Sequence, residues 1–383
     1  MELWYLIVGL LLATFYSGLI WLYRFWFNRL KPFEPGNLSL QPPVFFSVIV
    51  PARNESEVIE ACLQSILQQQ YPSASYEVIV VDDFSTDDTA DKVLNLAASY
   101  PQIQLLSLQN FYKDGSQLAY KKKAIELAIS KSQGSWIVTT DADCIVPPLW
   151  LHHFNAMIAK ENPVFIAAPV MFTNNGKFSG IFQLLDFLSL QGITAAAVSA
   201  GSHTMCNGAN LAYSKQAFEK VGRFSGIDHL ASGDDMLLMY KMKRAFGHRL
   251  SYLFSSQSVV LTAPMPNWKQ FLHQRIRWAS KASYYKDKGM LLVLWLVYLF
   301  NATLLGGLIA SLFYPELFYN VLLLTGIKTF AELSFMLPVA HFFWMQKYLL
   351  YFPLMQPFHI VYTVVAGWLG KFGSYQWKSR RVQ

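Results

Sequence analysis

Four short segments of this 383-residue chain place charged groups where chain physics would otherwise favour apolar residues. They are Val81-Asp82-Asp83, Thr140-Asp141-Ala142-Asp143, Gly233-Asp234-Asp235 and Gln274-Arg275-Ile276-Arg277-Trp278. The first two each close a β-branched, aliphatic run, so each sets acid at the carboxyl end of a buried strand. Open α/β sheets bind their ligands at that edge. Two carboxylate clusters meeting in one crevice repel each other and lose hydration, so the arrangement calls for a cation. A divalent metal carrying a diphosphate is the simplest one.

The elements that must position these residues alternate along the chain. Apolar periodicity predicts strands over 45–50, 77–81, 103–108 and 136–140, and helices over 55–69, 87–100 and 121–130. Ser85-Thr86-Asp87-Asp88 supplies capping oxygens for the second helix. Such alternation implies right-handed crossovers and a mostly parallel α/β sheet. Neither G-x-G-x-x-G nor G-x-x-x-x-G-K-S/T follows any strand, which removes the main support for a dinucleotide or Walker-type site. Phosphate binding is left to the metal.

Composition frames this sheet with membrane. A chain 53% hydrophobic and 14% charged is too apolar for ordinary soluble domains. Residues 3–23, 290–313, 317–340 and 348–369 each approach the roughly 20 apolar residues that span a bilayer. The expected organisation is an N-terminal anchor (1–30), a water-soluble domain (43–288) that includes an interfacial helix (267–285), a C-terminal membrane region (289–370) and a basic tail (371–383). Met1-Glu2 lacks a basic n-region, so the first segment reads as a retained anchor rather than a cleaved signal. Arg24, Arg29 and Lys31 follow it, and Lys281, Lys286 and Lys288 precede the next span, which puts the soluble domain in the cytoplasm at a cell (inner) membrane.

Three further spans would leave Lys378, Arg380 and Arg381 outside, against the same rule; either one of the three is re-entrant or interfacial, or the rule fails here. The last candidate carries Pro353 and Pro357. The one before it carries Lys328 and Glu332, four apart and able to pair on one helix face. Residues 181–198, with Asp186 as sole charge, are expected to form a buried or interfacial helix, since a span there would part the Asp141 and Asp234 clusters. Net charge +7 suits an anionic leaflet, and no basic stripe with interleaved aromatics argues for nucleic acid. Three scattered cysteines make no disulfide frame, and Cys144 reads as a buried filler more readily than as a metal ligand.

In their order and spacing, Pro51-Ala52-Arg53-Asn54-Glu55, Val81-Asp82-Asp83-Phe84-Ser85, Asp141-Ala142-Asp143, Gly233-Asp234-Asp235 and Gln274 to Trp278 resemble the signature of membrane-bound family 2 glycosyltransferases. The resemblance covers residues 45–280. It implies a GT-A fold, a nucleotide-sugar donor, Mg2+ or Mn2+ as cofactor, and inversion at the anomeric carbon. Pro51, Ala52, Arg53, Glu55, Asp82 and Asp83 would then hold base and ribose, with Lys121 and Asp141 on the phosphate side. Asp143, with Asp141, would hold the metal; Asp235, with Asp234 beside it, would be the catalytic base. Gln274, Arg275, Arg277 and Trp278 would meet acceptor or diphosphate, with Trp278 as a wall of the acceptor site. Tyr120 and Phe84 stand where many relatives have glycine.

The function expected is inverting transfer of a sugar, from a UDP-sugar, to a membrane lipid or short glycan at the cytoplasmic face. A processive polysaccharide synthase is the alternative within the class, and a non-catalytic membrane scaffold or translocation subunit the alternative outside it.

Overall fold

The computed structural model describes residues 2–35, 43–112, 120–230, 233–285, 287–372, 375–377 and 380–382. Lys286 and Lys378, used in the charge argument, lie outside them. The chain divides into two compact units: residues 31–171 with 204–263, and residues 1–30 with 172–203 and 264–383.

After helix α1 (Glu2–Asn28), the first unit runs β1 (Phe46–Ala52), α2 (Ile59–Leu67), β2 (Tyr76–Asp82), α3 (Thr89–Ser99), β3 (Ile103–Ser107), α4 (Tyr120–Lys131), β4 (Trp136–Thr139), β5 (Cys144–Ile145), α5 (Trp150–Glu161), β6 (Phe165–Ala167) and β7 (Val170–Phe172). It resumes beyond α6 (Phe178–Ser199) with β8 (Leu211–Ser214), α7 (Lys215–Lys220), α8 (Met236–Phe246), β9 (Leu250–Tyr252) and β10 (Val260–Thr262). Seven strands pair in the order β3-β2-β1-β4-β8-β6-β9, parallel except where β8 meets β4 and β6. Val48, Ile49, Val50 and Val78 to Val81 are fully buried, as strands covered on both faces require.

Predicted elements return within a few residues. The helix expected from residue 55 starts at Ile59, because the Glu55 carbonyl first takes the Val58 and Ile59 amides in a turn. The cap of α3 falls to Asp87, whose Oδ1 accepts from the Thr89 amide at 3.1 Å; the Asp88 side chain makes no capping bond.

The second unit contains α1, α6, α9 (Trp268–Ser280), α10 (Lys288–Ala310), α11 (Leu317–Phe342), α12 (Phe352–Phe372) and a terminal hairpin, β11 (Tyr375–Trp377) with β12 (Arg380–Val382). Among the described residues five helices are long and apolar enough to cross a membrane: α1, α6, α10, α11, and α12 with the turn before it. One differs in kind. In the most apolar stretch of α6, 83% of residues are buried, against 22–39% for the others. Its backbone comes so close to α11 that a Cβ on Gly192 would stand 2.5 Å from Val339. The Lys328–Glu332 pair foreseen on α11 forms, at 2.8 Å.

Candidate active site

Strand order reverses at β1: β2 and β3 lie on one side of it, β4 and β8 on the other. A reversal of this kind opens a crevice at the carboxyl ends of its strands. Ala52, Asp82 and the turn after Thr139 stand at those ends.

The loops after β1 and β2 are fastened to each other. Asp83 N donates to the Ala52 carbonyl at 2.8 Å, Thr86 N to Asn54 Oδ1 at 2.8 Å, Glu55 N to Thr89 Oγ1 at 2.9 Å and Ser56 N to Asp87 Oδ2 at 3.2 Å. Burial nudges the Asp87 carboxyl upward, but the bonds from Thr89 and Ser56 outweigh it and draw its pKa down to about 2. Arg53 Nη1 donates to the carbonyls of Asp83 and Phe84 at 2.6 and 3.1 Å, and lies 3.9 Å from Asp83 Oδ1. Asp82 is buried; its Oδ2 takes only a long bond from Ser85 N, 3.4 Å, and its Oδ1 has no hydrogen-bond partner among the described residues. A buried acceptor left open costs about 1–3 kcal/mol, so this oxygen is poised for a donor from a ligand. Phe84 sits at φ 52°, the left-handed region where glycine is at ease, which accounts for the family preference at this position. Its ring is held edge-on by Tyr120, 5.8 Å between centroids.

On the β4 side, carboxylates from separate stretches of chain gather round one ammonium. Lys121 Nζ lies 2.7 Å from Asp141 Oδ1 and 3.4 Å from Asp234 Oδ2. Burial pulls the lysine pKa down, but Asp141 and Asp234 push it up by more, so it stays charged. The cation demanded by the sequence is therefore partly supplied by the chain itself, from the first turn of α4. Lys122 and Lys123 do not form a solvated face with it: Lys122 is buried and donates to the Leu230 carbonyl, and Lys123 pairs with Glu126. Asp235 caps α8, its Oδ1 accepting from Met236 N at 2.7 Å, so a helix N-terminus faces the anions. Its Oδ2 accepts from Gly208 N at 3.3 Å.

Sequence reasoning missed Gly208. A Cβ there would stand 3.5 Å from both Asp234 Oδ2 and Lys121 Nζ, while its carbonyl accepts from Thr139 Oγ1 at 2.8 Å. The signal available was Asn207-Gly208, a turn dipeptide just before a strand.

Asp143 lies at the turn between β4 and β5, half-buried, and its Oδ1 accepts from the Cys144 thiol at 3.6 Å. Burial, and then Asp143, push the thiol pKa up, which keeps Cys144 a protonated filler. Among the described residues no three His, Cys, Asp or Glu side chains group closely enough to hold a metal. The donors present, the hard half-buried oxygens of Asp141 and Asp143, fit an ion that takes one or two carboxylates and completes its shell with phosphate and water, as Mg2+ does.

Gln274 to Trp278 lie on α9, in the helical unit. Arg275, expected among contacts to acceptor or diphosphate, has a buried guanidinium that donates twice to Asp186 Oδ2 of α6, at 2.9 and 2.6 Å, and once to Gln274 Oε1, at 2.7 Å. Its plane lies 4.5 Å from the Phe271 ring centroid and 4.3 Å from that of Trp278. Burial forces this commitment, since a buried guanidinium without a carboxylate is strongly unfavourable. Asp186 also accepts from the Tyr362 hydroxyl. The Trp278 ring centroid lies 6.1 Å from that of Phe187.

Two family models match the chain: Glycosyl transferase family 2 over residues 47–222, and Glycosyl transferase family group 2 over residues 136–369. The glycosyltransferase AglE of Haloferax volcanii is 28% identical over 192 residues, 50% of this chain and 59% of that protein. The UDP-Glc:alpha-D-GlcNAc-diphosphoundecaprenol beta-1,3-glucosyltransferase WfgD of Escherichia coli is 32% identical over 136 residues, 36% of this chain and 49% of its own. The chain thus spans under two thirds of either relative. Among solved structures, the mannosyltransferase PcManGT from Pyrobaculum calidifontis, in complex with GDP-Man and Mn2+, matches with a TM-score of 0.59 at 21% identity, covering 93% of this chain and 99% of that one. That likeness establishes the GT-A-like α/β fold.

Proposed function

The chain belongs to Glycosyl transferase family group 2, and we propose that it transfers a sugar, with inversion, from a UDP-sugar to a lipid-linked or short glycan acceptor at the cytoplasmic face of a cell membrane. The observation that carries this reading is the convergence of Asp141 and Asp234 on Lys121, with Asp235 capping the helix that follows, at a reversal in strand order. Three elements distant in sequence have no structural need to assemble mutually repelling acids; a polyanionic ligand with its counter-ion gives them one.

In this reading the open oxygen of Asp82 accepts from the uracil imide or a ribose hydroxyl, within a pocket formed by residues 51–55 and Asp83. Asp143 and Asp141 would hold Mg2+ or Mn2+, which when bound stabilises charge on the departing diphosphate. Lys121 is pre-placed as a second positive charge on the phosphate side. Asp235 takes the acceptor hydroxyl proton at a carboxylate oxygen, on the face opposite the leaving group, as inversion in one displacement requires. The amides of Met236 and Gly208 hold that carboxylate in place. Gln274, Arg277 and Trp278 serve the acceptor, and Arg275 acts on them as a positioning residue through Asp186.

Support for a lipid-linked acceptor comes from the apolar helices and from WfgD, which acts on a diphosphoundecaprenol. The test is sugar transfer by purified protein, in lipid, from UDP- and GDP-sugars to polyprenyl-linked and diacylglycerol acceptors, with and without Mn2+. Metal-dependent UDP release with labelled lipid product is expected. Metal-independent binding of lipid with no release from any donor would return the chain to the scaffold class.

A further inference from the structure

Contacts inside the helical unit fix the course of each long helix relative to the others. α1 and α11 run parallel: Glu2 meets Asn320, Gly9 meets Leu324, Tyr16 bonds Glu332, and Tyr23 and Phe27 pack on Phe335. α10 runs against them, with Tyr5 at Thr303 and Tyr16 at Phe300. The bundle therefore has two ends. One gathers Arg24 near the end of α1 with Arg29 and Lys31 after it, Lys281 before α10 with Lys288 at its start, and Lys347 after α11. The other holds Glu2 and, in the α10–α11 connection, Glu316.

α12 does not share this direction. Near its start, Gln356 bonds both Lys328 and Glu332, at 2.7 and 2.6 Å. Near its end, Gly367 abuts Tyr298, and the Lys371 ammonium lies 5.6 Å from the Trp295 ring centroid. Between Gln356 and Lys371 the helix advances about 22 Å, yet counted from the basic end the partners it meets differ in level by only about 5–10 Å. It crosses the bundle rather than following it.

Its neighbour agrees. Phe358 stacks on Trp268, Tyr362 packs on Phe271, Ala366 shares a buried cluster with Ile276, and a Cβ on Gly370 would stand 2.7 Å from that of Ala279. α12 thus lies along α9 from end to end. α9 has 13 residues, about 20 Å, and exposes Lys269, Gln270 and His273, so it neither reaches across a hydrocarbon core of about 30 Å nor tolerates one. The face of α12 next to that contact exposes Leu354, Val361, Trp368 and Phe372, a single stripe at helical spacing.

We propose that α12 is no span: it lies in the plane of the bilayer beside α9, in the basic half of the bundle, its apolar stripe turned to the acyl chains below the headgroups. The chain then crosses the membrane three times, through α1, α10 and α11. This rests on the reading of the protein as membrane-inserted. It also removes the conflict between three C-terminal spans and a basic tail, because the tail stays on the side of Lys31.

Cysteine labelling tests it, in a Cys206→Ser background, Cys62 and Cys144 being buried. In intact cells an impermeant thiol reagent is expected to reach Ser311→Cys. It should reach Lys31→Cys and Gln383→Cys only after the membrane is opened. Labelling of Gln383→Cys from outside overturns the proposal, and protection of Ser311→Cys overturns it together with the insertion it rests on. A second measurement reads depth directly, from nitroxides on Leu354→Cys, Val361→Cys and Trp368→Cys in proteoliposomes. An in-plane helix gives three similar depths, whereas a crossing helix spreads them by about 21 Å. Neither readout uses sugar transfer, so failure of the topology is distinguishable from failure of the glycosyltransferase reading.

Discussion

Lys121→Met takes the ammonium out of the carboxylate cluster while keeping most of the side chain's volume. At an effective dielectric of about 20, a charge pair at the observed 2.7 Å (Asp141) is worth about 6 kcal/mol and one at 3.4 Å (Asp234) about 5 kcal/mol in gross attraction. Exposure reorders them. Asp141 is 39% exposed and Asp234 11%, so solvent cuts the nearer pair toward about 1.5 kcal/mol while the farther keeps most of its strength. After desolvation the net loss is about 1.5–3 kcal/mol, the usual range for a bond to a charged group. That corresponds to roughly 3–12 °C in the midpoint of thermal unfolding for a unit of this size.

The sharper forecast is a change of sign. In the parent, Asp234→Asn is destabilising because it deprives Lys121 of its better-screened-from-solvent partner. In the Lys121→Met background the same substitution relieves repulsion and should raise the midpoint. Unfolding of the four proteins in detergent, followed by tryptophan fluorescence at neutral pH and low salt, provides the cycle. If Asp234→Asn lowers the midpoint equally in both backgrounds, the cluster is not held by Lys121 and the electrostatic account of the site fails.

Asp143→Asn should abolish transfer and weaken Mn2+-dependent UDP binding with the unfolding midpoint unchanged; retention of full activity would remove the metal assignment. Asp235→Asn should keep UDP affinity and, since asparagine caps a helix as well as aspartate, stability too, while turnover falls about 10² to 10⁴ fold. Asp235→Ala should lose, in addition, about 0.5–2 kcal/mol of cap, seen as a lower midpoint that Asp235→Asn does not share. Asp87 has its pKa depressed to about 2, so its contribution to stability is complete above the usual carboxylate range and is lost as pH falls through about 2. The midpoint gap between parent and Asp87→Asn should accordingly be constant from pH 5 to 8 and close between about pH 4 and 2; a gap that widens on acidification would contradict the sign.

What could be read in the sequence was whatever depends on local periodicity or on a short motif. β1 to β4 and the helices between them follow from runs such as Val78 to Val81, whose burial on both faces leaves no alternative. The convergence of Asp141 and Asp234 could be suspected from their chemistry. The resemblance set Lys121 with Asp141 on the phosphate side; that it also pairs with Asp234 could not be read, because this depends on how α4 docks on β1 and β2. Gly208 was hidden for the same reason: its amide meets Asp235 and its carbonyl meets Thr139 only once the fold has brought those side chains to it. Arg275 shows the opposite failure. A motif invites the reader to aim each of its charges at a ligand, and only the fold reveals that Asp186, 89 residues upstream, has taken this one.

The Lys328–Glu332 pair bears on the order in which the helical unit can close. The two side chains are one turn apart on α11 and neutralise each other, but the pair is not complete within that helix. Glu332 also takes the Tyr16 hydroxyl and the Gln356 amide, and Lys328 donates to Gln356. Tyr16 is in place from the first moments of synthesis, and Gln356 emerges last of the long-helix residues that complete the group. Maturation is thereby given an order, in which α11 waits on a segment not yet translated. Until that segment folds back, Glu332 lacks the Gln356 amide and Lys328 the Gln356 side-chain oxygen, so α11 carries both charges with part of their hydrogen bonding unmade.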